Sequence, residues 1–235
     1  MEQKVSAQEA SDAVGGLGWR FLLGTLRTSV PVGSLAAAVE AAASAVTVCG
    51  DDADQHLRVD IRPDRVVLTL QSAEQAAPTE RDLHLAVRLS AALDEAGLRT
   101  DPEIGTAASG TRAARSVQMI EIGIDALDIA AVRPFWKAVL GYADEPGLDG
   151  PKDALVDPVG QGPAIWFQQM DRPRPQRNRI HFDICVPHDE VPHRIEAAQA
   201  AGGRLLSAAR APAFWVLADI EGNEACITTW QGREG

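Results

Sequence analysis

Cysteine is scarce in this sequence, and what there is lacks pattern. Cys49, Cys185 and Cys226 are an odd set of three with no metal-type spacing, so no disulfide framework is expected and a reducing compartment suits the chain. Basic charge is also short. Lys and Arg total 22 against 33 Asp and Glu, a net charge of -11. Nucleic-acid binding needs a basic face, so no nucleic-acid partner is expected. The one local basic cluster, 172-RPRPQRNR-179, reads as a solvated loop. Long uninterrupted apolar runs are missing too. The longest candidate, 34-SLAAAVEAAASAVTVCG-50, contains Glu40 and serines and reads as a buried alanine-rich helix, not a membrane span. The opening residues MEQKVSAQEASDA are polar and show no secretory signal. The expectation is a cytoplasmic protein without a membrane partner.

What is present is ample apolar content, 46%, in a length of 235 residues that suits two domains. In the first half, Ser6 and Glu9 form a capping-box pattern at the start of a short helix over 6–16. The segment 19–30 reads as a hairpin turning near Gly24, and Ser34 caps a long helix over 34–48. From His56 to Arg62, polar and apolar residues alternate as in a half-buried strand carrying His56. Pro63-Asp64 turns the chain into a returning strand with Val66, Leu68 and Leu70 on one face. A helix opening at Thr79 presents Leu83, Val87, Leu89 and Leu93 and ends at Gly97. Residues 99–116 have linker composition, which separates a domain over 1–98 from one over 117–235.

The second half repeats itself. The strand 118-QMIEIGID-125 precedes a helix over 128–142 and three strand candidates, at 142–146, 153–157 and 164–169. The strand 179-RIHFDICV-186 precedes a helix over 190–203 and strands at 204–208, 213–218 and 224–230. A repeat of roughly 60 residues with identical element order makes Glu121 and His181 symmetry mates. Both are expected to point into one cavity. Trp166 and Trp215 are candidate walls of a substrate pocket, with core packing the plainer reading of each. The turn 219-DIEGN-223 leads into the last strand. His84, His188 and His193 read as solvated surface.

The paired strand-helix-three-strand units, with 135-FWKAVLGY-142, 181-HFDI-184 and 219-DIEGNEACI-227, resemble the vicinal oxygen chelate (glyoxalase-like) superfamily over about the last 120 residues. The resemblance implies two βαβββ modules and a divalent metal such as Zn, Fe, Mn or Ni, or else a metal-free pocket. Carried over, the ligand positions are Glu121, Gln168 or Gln169, His181 and the last strand. The family's usual last-strand acid falls at Cys226, with Glu224 two residues earlier on the same face. Either Glu224 substitutes or Cys226 ligates. In a metal-free pocket, Glu224 and His181 hydrogen-bond one another.

The first half, about residues 8–96, resembles pterin-4a-carbinolamine dehydratase. The match is clearest at 65-RVVLTL-70 and 79-TERDLHLA-86. The resemblance implies an α/β sandwich domain, making the whole chain α+β. It implies catalysis by His56 and pterin binding by Asp51 and Asp82. Gln55 and Ala73 stand where that family has histidines, and neither can shuttle a proton. Asp82 with Thr79 also makes a helix-start pattern.

Three functions follow. The first is a glyoxalase-like enzyme acting through Glu121, His181 and Glu224 on a small molecule, with Trp166, Trp215 and Cys226 about the substrate. The second is a pterin carbinolamine dehydratase, a lyase, with an appended domain. The third is a non-catalytic small-molecule-binding protein. By resemblance, both domain types self-associate, so a homodimer is expected.

Overall fold

The structure, a computed structural model, describes residues 3–104, 115–173 and 180–232. Residues 174–179 of the basic cluster and 105–114 of the expected linker lie outside the described residues. The chain divides into two compact units, Met1–Met119 and Ile120–Gly235. No helix among the described residues is long and apolar enough to cross a membrane.

The first unit opens with α1 (Ala7–Gly15), started by the Ser6–Glu9 capping box. Strands β1 (Arg20–Leu22) and β2 (Thr25–Pro31) form a hairpin. Its turn residues Leu23 and Gly24 both have positive φ, 43° and 70°, the conformation of a two-residue turn that matches strand twist. Helix α2 (Leu35–Cys49) is capped by Ser34, whose hydroxyl accepts from the Ala37 amide. A 3-10 turn (Gly50–Asp52) and a short helix α3 (Ala53–His56) precede β3 (Leu57–Arg62) and β4 (Arg65–Leu70). The antiparallel sheet runs β1-β2-β4-β3. Helix α4 (Glu80–Glu95) joins α1 and α2 over the face carrying Leu26, Val30, Val66, Leu68 and Leu70.

Three sequence expectations change here. His56 ends α3 instead of lying on β3, because the helical turn that precedes the strand includes it. The inward stripe of α4 is Asp82, Leu85, Ala86, Leu89 and Leu93, spaced as one helical face. Val87 falls out of that phase and is exposed. Beyond α4, β5 (Glu103–Ile104) pairs with β6 (Arg115–Ser116), so part of the expected linker is strand.

The second unit is built twice over. Strand β7 (Glu121–Ala126), helix α5 (Ile129–Leu140) and strands β8 (Ala143–Asp144), β9 (Leu155–Val156) and β10 (Ala164–Gln169) form the first module. Strand β11 (Phe182–Cys185), helix α6 (Val191–Ala200) and strands β12 (Arg204–Arg210), β13 (Phe214–Ala218) and β14 (Glu224–Thr228) form the second. Sheet orders are β7-β10-β9-β8 and β11-β14-β13-β12. In each module the first strand lies parallel to the last, β7 to β10 and β11 to β14. A parallel pair needs a crossover, which the helix and the remaining strands supply. Helix α5 starts at Asp128, whose carboxylate accepts from the Ala131 amide at 3.2 Å, and stops at Gly141 with φ 70°.

The two modules share one core. Ile124, Ile129, Trp136, Leu155, Ile165, Val191, Leu217, Ala225 and Ile227 form a single apolar cluster. The Trp136 ring meets Phe135 and Phe182 edge to face, with centroids 5.4 and 5.6 Å apart. The turn 219–223 fastens one module to the other. Asp219, fully buried, accepts from Trp136 Nε1 at 3.1 Å, from Asn223 Nδ2 at 2.8 Å and from the amides of Glu221 and Asn223. Glu221 accepts from the amides of Leu127 and Asp128, just ahead of α5. A carboxylate there also favours the positive end of the helix dipole. Asp219→Ala leaves the Trp136 indole and two amides without their acceptor. It should therefore destabilise the second unit by about 2–4 kcal/mol, measured as a lower urea midpoint at unchanged m-value.

Candidate functional site

Strand period two sorts the second unit's side chains into a helix-facing set and an open-face set. In β11, Phe182 and Ile184 pack on the shared core, so His181, Asp183 and Cys185 take the other face. In β14, Ala225 and Ile227 are core, so Glu224, Cys226 and Thr228 take the open face. The parallel register pairs Asp183 with Cys226 and Cys185 with Thr228. His181, one step before β11, is level with Glu224.

The result is a compact cluster. Ligand-capable atoms of His181, Asp183 and Cys226 all lie within 4.8 Å of one another. His181 Nε2 is 3.5 Å from Asp183 Oδ1, and both side chains are about half exposed, 55% and 53%. Cys226 is buried at 7%. The cluster sits in a cleft of about 640 Å³ that Arg210, Phe214 and Thr228 also line. An imidazole, a carboxylate and a thiol are a mixed N, O and S donor set of the kind zinc accepts, and the exposed side leaves room for a further ligand. Asp183 was not foreseen from the sequence. The period-two spacing within 181-HFDI-184 was the signal for it.

The expected ligand set of Glu121, Gln168, His181 and Glu224 is not what the structure assembles. Among the described residues, the only cluster of three or more His, Cys, Asp and Glu donors is His181, Asp183 and Cys226. Glu121 is paired with Ala164, whereas Gln168 is paired with Asp125. Four residues of strand separate those two levels, about 13 Å. Gln168 does share the open face with Glu121, which settles the parity in its favour. Gln169 instead donates to the Leu127 carbonyl at 2.7 Å. Glu121, Gln168 and Glu224 do not line the cleft.

The tryptophans divide. Trp215 pairs with Ile227 and packs against the shared core, so it is not a pocket wall. Trp166 is on the open face, 40% exposed, and its indole lies over Gly123, where an added Cβ would meet the ring at 3.0 Å. It does not line the His181 cleft. Gly123 and Trp166 occupy in the first module the paired places that Asp183 and Cys226 hold in the second. The first module therefore keeps the fold without the donor set.

Residues 121–228 match the family model of a glyoxalase-like domain. The C-terminal half is glyoxalase-like. Solved structures similar to the chain include a glyoxalase/bleomycin resistance protein/dioxygenase family enzyme from Burkholderia phytofirmans, at 19% identity and TM-score 0.35, covering 46% of this chain and 95% of that one. A fosfomycin resistance protein from Mesorhizobium loti is 8% identical at TM-score 0.37, covering 47% and 89%. A transcriptional coactivator/pterin dehydratase from Brucella melitensis is 22% identical at TM-score 0.35, covering 38% and 98%. No curated protein matches the chain.

In the first unit, two of the three expected pterin-site residues, His56 and Asp82, come together. Asp51 is exposed on the 3-10 turn. His56 and Asp82 are buried together, with His56 Nδ1 2.9 Å from Asp82 Oδ1. The other oxygen of Asp82 accepts from the Thr79 amide at 2.7 Å and hydroxyl at 2.9 Å. Asp82 thus clamps the start of α4 to the end of α3, the helix-start reading of Thr79 and Asp82. Cys49, also buried here, has its thiol pushed up to about 11, chiefly by burial. It stays protonated at neutral pH and offers no thiolate. His84, His188 and His193 are exposed. Asp82→Ala should lower the first unit's stability by about 2–4 kcal/mol, because it removes the buried carboxylate that His56 and the Thr79 amide both bond. Thermal unfolding followed by circular dichroism measures it.

Proposed function

We propose that the chain is a small-molecule enzyme of the glyoxalase-like type whose active centre is the His181–Asp183–Cys226 cleft in the second module. The observation that carries this reading is the convergence of three different donor atoms within 4.8 Å on the open face. His181, Asp183 and Cys226 would hold one divalent ion, zinc first by the chemistry of the donors. Such an ion supplies Lewis-acid polarisation of a substrate oxygen.

The chain's own residues supply the rest. Asp183, 3.5 Å from His181 Nε2, is placed to help orient the ring. His181 is about half exposed, so an ion held there would be open to a substrate. Cys226 sits at the buried base of the cleft, on the strand next to Asp183. The first unit acts in this reading as a structural module. Its one candidate catalytic imidazole, His56, is buried against Asp82, and the positions at Gln55 and Ala73 carry no proton shuttle.

The test is metal content. The 235-residue chain loaded with zinc and dialysed should retain one equivalent. His181→Ala and Cys226→Ala should each reduce retention to background, while Glu121→Ala and Gln168→Ala leave it intact. Loss of three-donor binding should weaken zinc affinity at least about 100-fold, read by competition with a chromogenic chelator. Undiminished retention in Cys226→Ala would overturn the assignment.

A further inference from the structure

Beside the three-donor cluster, the same cleft carries a second row of side chains. Arg210 on β12 is paired with Phe214 on β13, and Phe214 is paired with Thr228 on β14. Thr228 in turn stands level with Cys185 on β11. Arg210, Phe214 and Thr228 all line the cleft. This row lies two residues along β14 from Cys226, a step of about 6–7 Å.

Two features of the row point to a ligand. Thr228 is 1% exposed, and its hydroxyl has no hydrogen-bond partner. Buried hydroxyls are ordinarily satisfied, and Thr228 lines the cleft, so a turn about its χ1 would bring this orphan donor to a ligand's acceptor. Arg210 is exposed, and its guanidinium makes no hydrogen bond or ion pair among the described residues. In a chain of net charge -11, where acids outnumber bases 33 to 22, an uncommitted arginine on a cleft wall is a feature to explain. A planar guanidinium is shaped to hold a carboxylate through paired hydrogen bonds. Phe214, between the two, gives the ligand's carbon chain an apolar floor.

We propose that this cleft selects a small carboxylate-bearing ligand. Arg210 pairs with its charge, Thr228 Oγ1 donates to one of its oxygens, and its reactive end reaches the His181–Asp183–Cys226 cluster. The inference rests on the reading of the cleft as the active centre and names the substrate class that centre takes. The spacing of the two rows calls for a compact acid, and the cleft volume is in the range of small-ligand sites.

The probes are 3-mercaptopropionate and 3-mercaptopropan-1-ol, which share a chain length and a thiol but differ in charge. Each is titrated calorimetrically into the full chain under reducing conditions, with zinc added and without metal. The acid should bind at least about tenfold tighter than the alcohol in both states. Arg210→Ala should bring the two within about twofold, Arg210→Lys should keep part of the preference, and Thr228→Val should weaken the acid alone. Equal binding of acid and alcohol, or a preference that Arg210→Ala and Thr228→Val leave untouched, overturns the inference. Failure of the metal reading is told apart by the zinc arm: the protein then keeps no zinc, while the acid preference is still read in the metal-free arm. Arg210 is on the surface, so its variants should unfold at the wild-type temperature, which the same samples check.

Discussion

The parallel pairing of β11 with β14 is the constraint on which the site depends. It places Asp183 directly beside Cys226 and brings His181 up on the same face. A slip of β11 by one residue would send His181 and Asp183 toward the core and bring Phe182 and Ile184 to the open face. The apolar cluster forbids that slip, because Phe182, Ala225 and Ile227 are held in the core beneath the helices. The chemistry of the open face is therefore fixed by packing on the opposite face. The Asp219 and Glu221 clasp keeps the two modules on that shared core.

Duplication gave the second unit two copies of one architecture, and the copies have diverged in what they expose. Both keep the strand order and the parallel first-to-last pairing. Both pack β-strand aliphatics against the helix that follows the first strand. On the open face, the second copy gathers imidazole, carboxylate and thiol, while the first sets a tryptophan ring across a glycine. An indole offers an apolar surface and one N–H donor, not a metal ligand. Scaffold and chemistry are thus separable in this unit, since each is carried by alternate residues of the same strands.

Much of the architecture was legible in the sequence. Ser6, Ser34 and Asp128 announced their helices because a cap is a local hydrogen bond. The repeat showed its element order, and the strand at 164–169 has those bounds in the structure. His181 and Cys226 were recognisable as open-face residues from period two. The rest depended on register between strands distant in sequence, which no local pattern contains. Glu121 and Gln168 looked like co-ligands until pairing set them four residues apart along the ladder. Trp215 could be taken for a wall until its pairing with Ile227 turned it inward. His56 changed from a strand residue to the buried last residue of a short helical turn, where Asp82, 26 positions on, holds it. Asp183 was overlooked although its spacing from His181 was visible.

The most direct measurement of the central claim is X-ray absorption at the zinc edge on the zinc-loaded full chain. The account predicts one sulfur scatterer at about 2.3 Å, from Cys226, together with nitrogen and oxygen neighbours at about 2.0–2.2 Å. A first shell of nitrogen and oxygen alone would contradict it, since the metal would then lie somewhere other than between His181, Asp183 and Cys226.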